Sequence, residues 1–211
     1  MAENRKDSTI SPKLITALDR TWGAIQRRHP EVPAVVITLG QGFTGKTAKY
    51  GHFADSRWQL GDNRVPEMFM GAEGLQRGAR GTLGTLIHEA AHGVASVRGV
   101  QDTSRQGRFH NRRFKGIAEE MGLSIAQAPG TGWSSTTVPD GTAVLYKAEM
   151  RLLEAALVGF RHPEPRGGRR SSNNPLPMIC GCGRRIRVAP RVIEAGPIGC
   201  GVCGQPFEVV A

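Results

Sequence analysis

The chain has 211 residues, 39% of them hydrophobic and 22% charged, which suits one domain with a packed core plus an appendage and excludes a wholly disordered chain. No stretch approaches the roughly 20 apolar residues that span a bilayer, and Met1 to Ile10 is polar, without the apolar run of a secretory signal; no membrane partner is expected, and the cytoplasm is the expected compartment. Twenty-eight Lys and Arg against 18 Asp and Glu leave a formal charge of +10, a balance that favours a polyanion such as nucleic acid, though a compositional bias toward Arg gives the same figure.

In chain order, Ser11-Pro12 resembles an N-cap and first helical position, and Leu14, Ile15, Leu18, Trp22 and Ile25 recur at helical spacing as far as His29-Pro30. Residues 34–39 form a β-branched run expected to be a buried strand. Residues 50–58 and 65–70 are two further strand candidates, the latter closed by the turn Gly71-Ala72-Glu73-Gly74. A helical pattern runs from Thr82 to Val97 with Gly99 as its stop, another covers 109–121, and a longer one covers 142–160. Composition then changes. Residues 161–177 carry four Arg and four Pro and are expected to form a flexible basic linker, and residues 178–211 hold all four cysteines in a second, small module.

The most informative segment is His88-Glu89-Ala90-Ala91-His92, inside a predicted helix. Positions four apart differ by about 40° around a helix and about 6 Å along it, so both imidazoles project from one face and can share a tetrahedral Zn²⁺. Glu89, one step round, stands beside the ion's open position, where it can take a proton from water as general base. Two satisfied histidines on an apolar helix face would be the bland alternative; the small and apolar flanks Leu86, Ile87, Ala90, Ala91 and Val94 favour the metal. A catalytic zinc needs a third protein ligand. Ala95 and Arg98 occupy the positions where a metzincin has Gly and His, which excludes that subclass. Glu119, Glu120 and His110 are the downstream candidates.

The order of this motif, a glycine- and charge-rich loop, and then His110-Asn111-Arg112-Arg113-Phe114 resembles the SprT-like metalloproteases, whose third ligand is the His of an H-G-x-x-F segment. Asn111 stands where that family usually has Gly. The resemblance covers about residues 10–125 and 178–208. It implies an α+β, small zincin-like metalloprotease domain with a catalytic Zn²⁺ held by His88, His92 and His110 and Glu89 as base. It also implies an association with DNA, since such proteins digest proteins bound or crosslinked to it. The strand at 65–70 is expected to pair with an extended peptide substrate.

Two further motifs matter. Gly40-Gln41-Gly42-Phe43-Thr44-Gly45-Lys46-Thr47 fits the phosphate-binding pattern GxxxxGK[ST], but residues 48–53 start a helix poorly, so a glycine-rich hairpin loop is expected instead. Cys180-x-Cys182 and Cys200-x-x-Cys203 predict a zinc ribbon with a second, structural Zn²⁺, because four thiolates leave the ion no open position. Arg184, Arg185, Arg187 and Arg191 lie in it, and residues 161–211 carry eight basic against three acidic side chains, which makes this tail the expected DNA contact. His52 is expected in the core or a hairpin, Trp133 as a loop anchor, and His29 and His162 in solvent.

The expected architecture is thus a protease domain over 10–160, a linker over 161–177 and a zinc ribbon over 178–211. The expected activity is zinc-dependent peptide hydrolysis on DNA-associated proteins. A non-catalytic nucleic-acid-binding zinc protein with a structural HExxH site is the alternative, and a metal-dependent hydrolase of another bond is a third reading. The residues specify no oligomeric state.

Overall fold

The computed structural model describes residues 10–44, 47–163 and 174–210. It is a mixed α+β chain that divides between Glu164 and Pro165 into two compact units. Most of the segment expected as a linker, residues 164–173, lies outside the described residues. No helix among the described residues is long and apolar enough to cross a membrane.

The first unit opens with α1 (Ile10–Arg28), which buries the stripe Leu14, Leu18, Trp22 and Ile25 together with Ala17, Thr21 and Ala24. The strands β1 (Val36–Gly40), β4 (Gly51–Leu60) and β5 (Asn63–Gly71) form a sheet ordered β1-β5-β4, and the short hairpin of β2 (Phe43–Thr44) with β3 (Thr47–Ala48) interrupts it. β5 pairs in parallel with β1 and antiparallel with β4. Both of its edges are therefore occupied, so the strand expected to receive a substrate is the central one. Among the described residues the two edges of this sheet are β1 and β4.

A 3-10 turn (Ala72–Arg77) leads into α2 (Gly78–Val97), the central helix. Thirteen of its 20 residues are buried, too many for a surface helix and appropriate to one covered on most sides. Leu83, Leu86 and Ile87 are fully enclosed, each stabilising the fold by about 1.5–3 kcal/mol relative to exposure. Gly99, at φ 64°, ends the helix as expected: its N–H donates to Ser96 O (3.0 Å) and that of Val100 to Ala95 O (2.8 Å), the Schellman pattern.

After α2 come β6 (Thr103–Ser104), β7 (Phe109–His110), α3 (Arg112–Glu120), β8 (Ser124–Ala128) and β9 (Gly132–Thr137). The four strands form a second sheet ordered β6-β7-β9-β8. The helix expected to begin at 109 begins instead at Arg112, because Phe109 and His110 pair with β6 and β9. The long helix expected over 142–160 is two: α4 (Asp140–Leu145) and α5 (Lys147–Ala156). Between them Tyr146 leaves helical geometry at φ −105°, ψ 23°, its ring buried under the Arg28 guanidinium, which also takes the Leu145 carbonyl at 2.5 Å.

The second unit is a three-stranded antiparallel sheet, β11-β10-β12, made of β10 (Leu176–Ile179), β11 (Arg185–Val188) and β12 (Glu208–Val209), with one short helix, α6 (Pro190–Glu194). Among the described residues its buried core is Met178, Cys180, Cys200 and Phe207, flanked by Ile186, Val188, Ile193 and Ile198.

Candidate metal centre

The three histidines converge. Helical spacing places His88 and His92 on one face of α2, and β7 brings His110 across to them. His110 Nε2 lies 3.2 Å from His88 Nε2 and 3.1 Å from His92 Nε2. A tetrahedral ion bound by nitrogens at about 2.0–2.1 Å separates its ligands by about 3.3 Å, so the triad is already near that geometry. The other ring nitrogens settle the tautomers. His88 Nδ1 faces Thr136 Oγ1 at 2.8 Å, and that hydroxyl spends its own proton on Ser134 O (3.3 Å). His92 Nδ1 faces Asp102 Oδ2 at 2.5 Å, and His110 Nδ1 faces the Thr131 carbonyl at 3.3 Å. Each Nδ1 is thereby the donor, which leaves three Nε2 lone pairs pointed at one another. Without a cation that arrangement is repulsive; with one, every lone pair is used.

Phe114 explains why an aromatic follows His110 by four residues. Fully buried on the first turn of α3, it packs against all three imidazoles, with ring centroids 4.5–4.6 Å away. Asn111 caps that helix, accepting from the N–H groups of Arg113 (2.8 Å) and Phe114 (3.2 Å), while its Nδ2 donates to Gln101 O (2.8 Å) and its N–H to Asp102 O (3.0 Å). One side chain thus ties the third histidine to the loop that carries Asp102. Its φ of −93° is open to any residue, so Asn in place of Gly costs no strain. Gly132, in contrast, has no substitute: at φ 72°, a Cβ would lie 2.2 Å from the His110 carbonyl oxygen.

Glu89 is buried beside the triad. Burial pushes its carboxyl up, against the opposing pull of His92, the Phe53 N–H and Lys49. Burial also drives His88 well below the usual histidine range, with the neighbouring His92, His110 and Arg77 adding to the effect, and it lowers His110. Neutral imidazoles are the form that binds metal. β4 closes this side of the site. Phe53 N–H faces the Glu89 carboxylate, and Gly51 lets the strand approach, since a Cβ there would meet Thr85 Cγ2 at 2.7 Å and Glu89 Oε1 at 2.9 Å.

The other carboxylates open as third ligands are engaged elsewhere. Glu119 pairs with Lys115 (2.6 Å) and Glu120 with Arg98 (2.8 Å), both on the solvated side of α3. The residues that sequence reasoning missed are Asp102, Thr136 and Thr131. Two lie in or beside two- to six-residue strands and the third in a loop, and nothing in their spacing marks them.

The four cysteines of the second unit also come together, with all Sγ atoms within 4.8 Å of one another. Cys180 and Cys182 are 3.0 Å apart and Cys182 and Cys200 3.7 Å, against about 3.8 Å for thiolates on a tetrahedral zinc at about 2.3 Å. The N–H groups of Cys203 and Val202 lower the Cys200 thiol to about 6, while the adjacent Cys180 pushes Cys182 up to about 12. Both clusters could hold a metal ion. On β11 basic and apolar side chains alternate: Arg185 and Arg187 are exposed, and Ile186 and Val188 face the small core. Arg184 reaches Cys200 Sγ (3.8 Å), and Arg191 is exposed on α6.

The glycine-rich segment after β1 passes into the β2–β3 hairpin, with Gly45 and Lys46 outside the described residues. The Gly42 N–H donates to buried Glu73 (2.7 Å), so an amide that a phosphate loop would turn to its ligand is already bound to a carboxylate. His52 stacks on Phe69 within the first sheet. Trp133 lies on β9, half-buried against the core, His29 is half-buried beyond α1, and His162 is exposed against Phe160.

Comparison with protein-family models, with curated proteins and with solved structures finds no match to this chain.

Proposed function

We propose that the first unit is a zinc-dependent metallopeptidase of the SprT-like kind, with His88, His92 and His110 as ligands and Glu89 as general base. The observation that carries this reading is the set of three Nε2 lone pairs, fixed by acceptors on every Nδ1, converging beside a buried carboxyl that ligates nothing. Three nitrogens leave a tetrahedral ion one open position, the arrangement of catalytic rather than structural sites. When bound, the ion supplies Lewis-acid chemistry, drawing electron density from a peptide carbonyl and making water a stronger acid. Glu89 receives the proton as water oxygen bonds to the carbonyl carbon. The same carboxyl then delivers that proton to the departing amide nitrogen as the C–N bond breaks, regenerating the base. The free edge of β4, against Glu89, is the place for an extended peptide to add as a further strand.

In this reading the four-cysteine unit binds a structural zinc, since so small a core needs the ion to fold, and its exposed arginines hold DNA phosphates. The test is degradation of a DNA-bound protein, with casein as a general substrate, by zinc-loaded wild type and by Glu89→Gln. The variant is expected to keep its zinc and lose at least 100-fold in rate, the scale of a general base. Equal rates would overturn the assignment.

A further inference from the structure

The wall beside Glu89 carries a cation that this hydrolytic reading leaves unused. Arg77 ends the 3-10 turn, and its side chain runs along α2. Nε donates to Gly74 O at 3.3 Å, Nη2 bonds Thr85 Oγ1, and the guanidinium lies over the Tyr50 ring, 3.9 Å from its centre. Thr85 is one turn before Glu89 on the same helix face, and both abut the backbone of Gly51. Arg77 and Glu89 therefore share one wall, and the charge of Arg77 is felt at His88.

Arg77 has no counter-ion among the described residues. Glu73, the carboxylate of the same turn, is bound to Arg161 (2.7 Å) and to the Gly42 N–H. A guanidinium has five N–H donors, and the two contacts above use two of them. Burial of its inner face lowers the pKa of Arg77, opposed only by the Tyr50 phenol over which it lies, and no carboxylate among the described residues pairs with it. Its outer face is exposed, and so is Tyr50. Lys49, one residue before Tyr50, adds a second positive charge that reaches Glu89 and makes no ion pair among the described residues. A half-desolvated planar fork with spare donors is the group that recognises a carboxylate with two parallel hydrogen bonds.

Resting on the peptidase reading, we propose that Arg77, held between Tyr50 and Thr85, is the anchor for a carboxylate of the substrate, so that the site selects peptides with an acidic residue close to the bond cut. Arg77 is then a specificity-determining residue, and Tyr50 and Thr85 position it.

The experiment uses the full chain, zinc-loaded and carrying Glu89→Gln so that bound peptide persists. Fluorescein-labelled peptides that differ by one Gln-to-Glu change, scanned along the sequence, are titrated by anisotropy. At one position Glu is expected to bind about tenfold more tightly than Gln, which is about 1.4 kcal/mol. Arg77→Met in the same background is expected to erase that difference. Arg77→Lys, which keeps the charge but not the fork, is expected to keep part of it, with zinc content unchanged. Equal binding of Glu and Gln peptides at every position would overturn the proposal, as would a preference that survives Arg77→Met. Wild-type cleavage of the same peptides separates the two readings. Acidic preference in binding without any cleavage leaves the anchor standing and removes the peptidase; cleavage without acidic preference does the reverse. Should wild-type rates for Glu and Gln peptides fall equally with Arg77→Met while binding holds, Arg77 serves the reacting carbonyl and the carboxylate anchor is wrong.

Discussion

Asp102 gives the sharpest test of whether the histidine triad is built for a metal. Its Oδ2 sits 2.5 Å from His92 Nδ1, and both side chains are largely shielded, 13% and 16% exposed. The carboxylate holds the proton on Nδ1, keeps the Nε2 lone pair on the shared point, and makes the imidazole a stronger donor. Removing such a partner weakens metal binding by about 10- to 100-fold, or about 1.4–2.8 kcal/mol. The two obvious variants divide that range. Asp102→Asn retains a neutral acceptor, and charge-assisted hydrogen bonds are about twice as strong as neutral ones, so it belongs near the tenfold end. Asp102→Ala loses the acceptor and frees the ring to turn, which puts it near 100-fold. The backbone clip from Asn111 N–H to Asp102 O survives either change, so the loop itself is held. Competition for zinc against a chromogenic chelator reads the affinities directly. Melting at a fixed excess of free zinc gives an independent figure, since tenfold weaker binding removes about 1.4 kcal/mol of ligand stabilisation. Affinity within twofold of wild type for Asp102→Ala would refute the argument that Nδ1 acceptors preorganise the site.

Three more outcomes follow from the same geometry. At position 111, Asn→Ala should cost about 0.5–2 kcal/mol of stability through the lost helix cap, whereas Asn→Gly should cost only a few tenths, an order read by chemical denaturation. In chelator, acidification should destabilise the first unit. His88 and His110 titrate below 6.5 in the fold, so as pH drops under 6.5 the unfolded chain gains protons that the native one refuses; Glu89, raised above 4.5, acts in the opposite sense, favouring the native state at low pH and losing that effect as pH rises through its folded value. Calorimetric melting temperatures from pH 7 to 5.5 should therefore fall, by less in His88→Asn, and a rise would show that Glu89 dominates. In the second unit, Cys200→Ser or a strong chelator should collapse the dispersed amide resonances of residues 176–209, because Met178 and Phe207 are the only buried apolar side chains there besides two cysteines.

The parts of the site legible in the sequence were those set by local periodicity. Four residues apart on a helix means one face, so His88 and His92 could be placed without tertiary information, and the two close cysteine pairs announced the cysteine cluster. His110 stood in the sequence as one of three open candidates, which the resemblance singled out, and its element is a strand where the pattern predicts a helix. The amphipathic pattern of Phe109, Phe114, Ile117 and Met121 extends a helix backwards over residues that pairing with β6 and β9 holds as strand. β6 and β7 have two residues each and no periodicity to detect, and β9, Gly-Trp-Ser-Ser-Thr-Thr, has no apolar alternation, so the second sheet and its contributions, Thr131, Thr136 and the strand form of His110, were out of reach. The edge and centre of the first sheet were equally hidden, because strand order depends on contacts between segments and not on the pattern within one. The break at Tyr146 depends on Arg28, more than 100 residues earlier, capturing a carbonyl that a local reading assigns to the helix.

These hidden pieces account for why so short a motif can be held rigidly. α2 supplies two ligands and the base, but a lone helix leaves each imidazole free to rotate and Glu89 free to turn toward solvent. Each of the four groups is fixed by a different segment: Glu89 by β4, His88 by β9, His92 by the loop after α2, and His110 by the turn before β9. Phe114 fills the space beneath, so no ring can withdraw without opening a cavity in a closed core. The two sheets therefore act on the helix from separate sides, one setting the base and the other setting the ligands. On this account substitutions in β4 should change turnover with little effect on metal affinity, and substitutions in β9 should change metal affinity first.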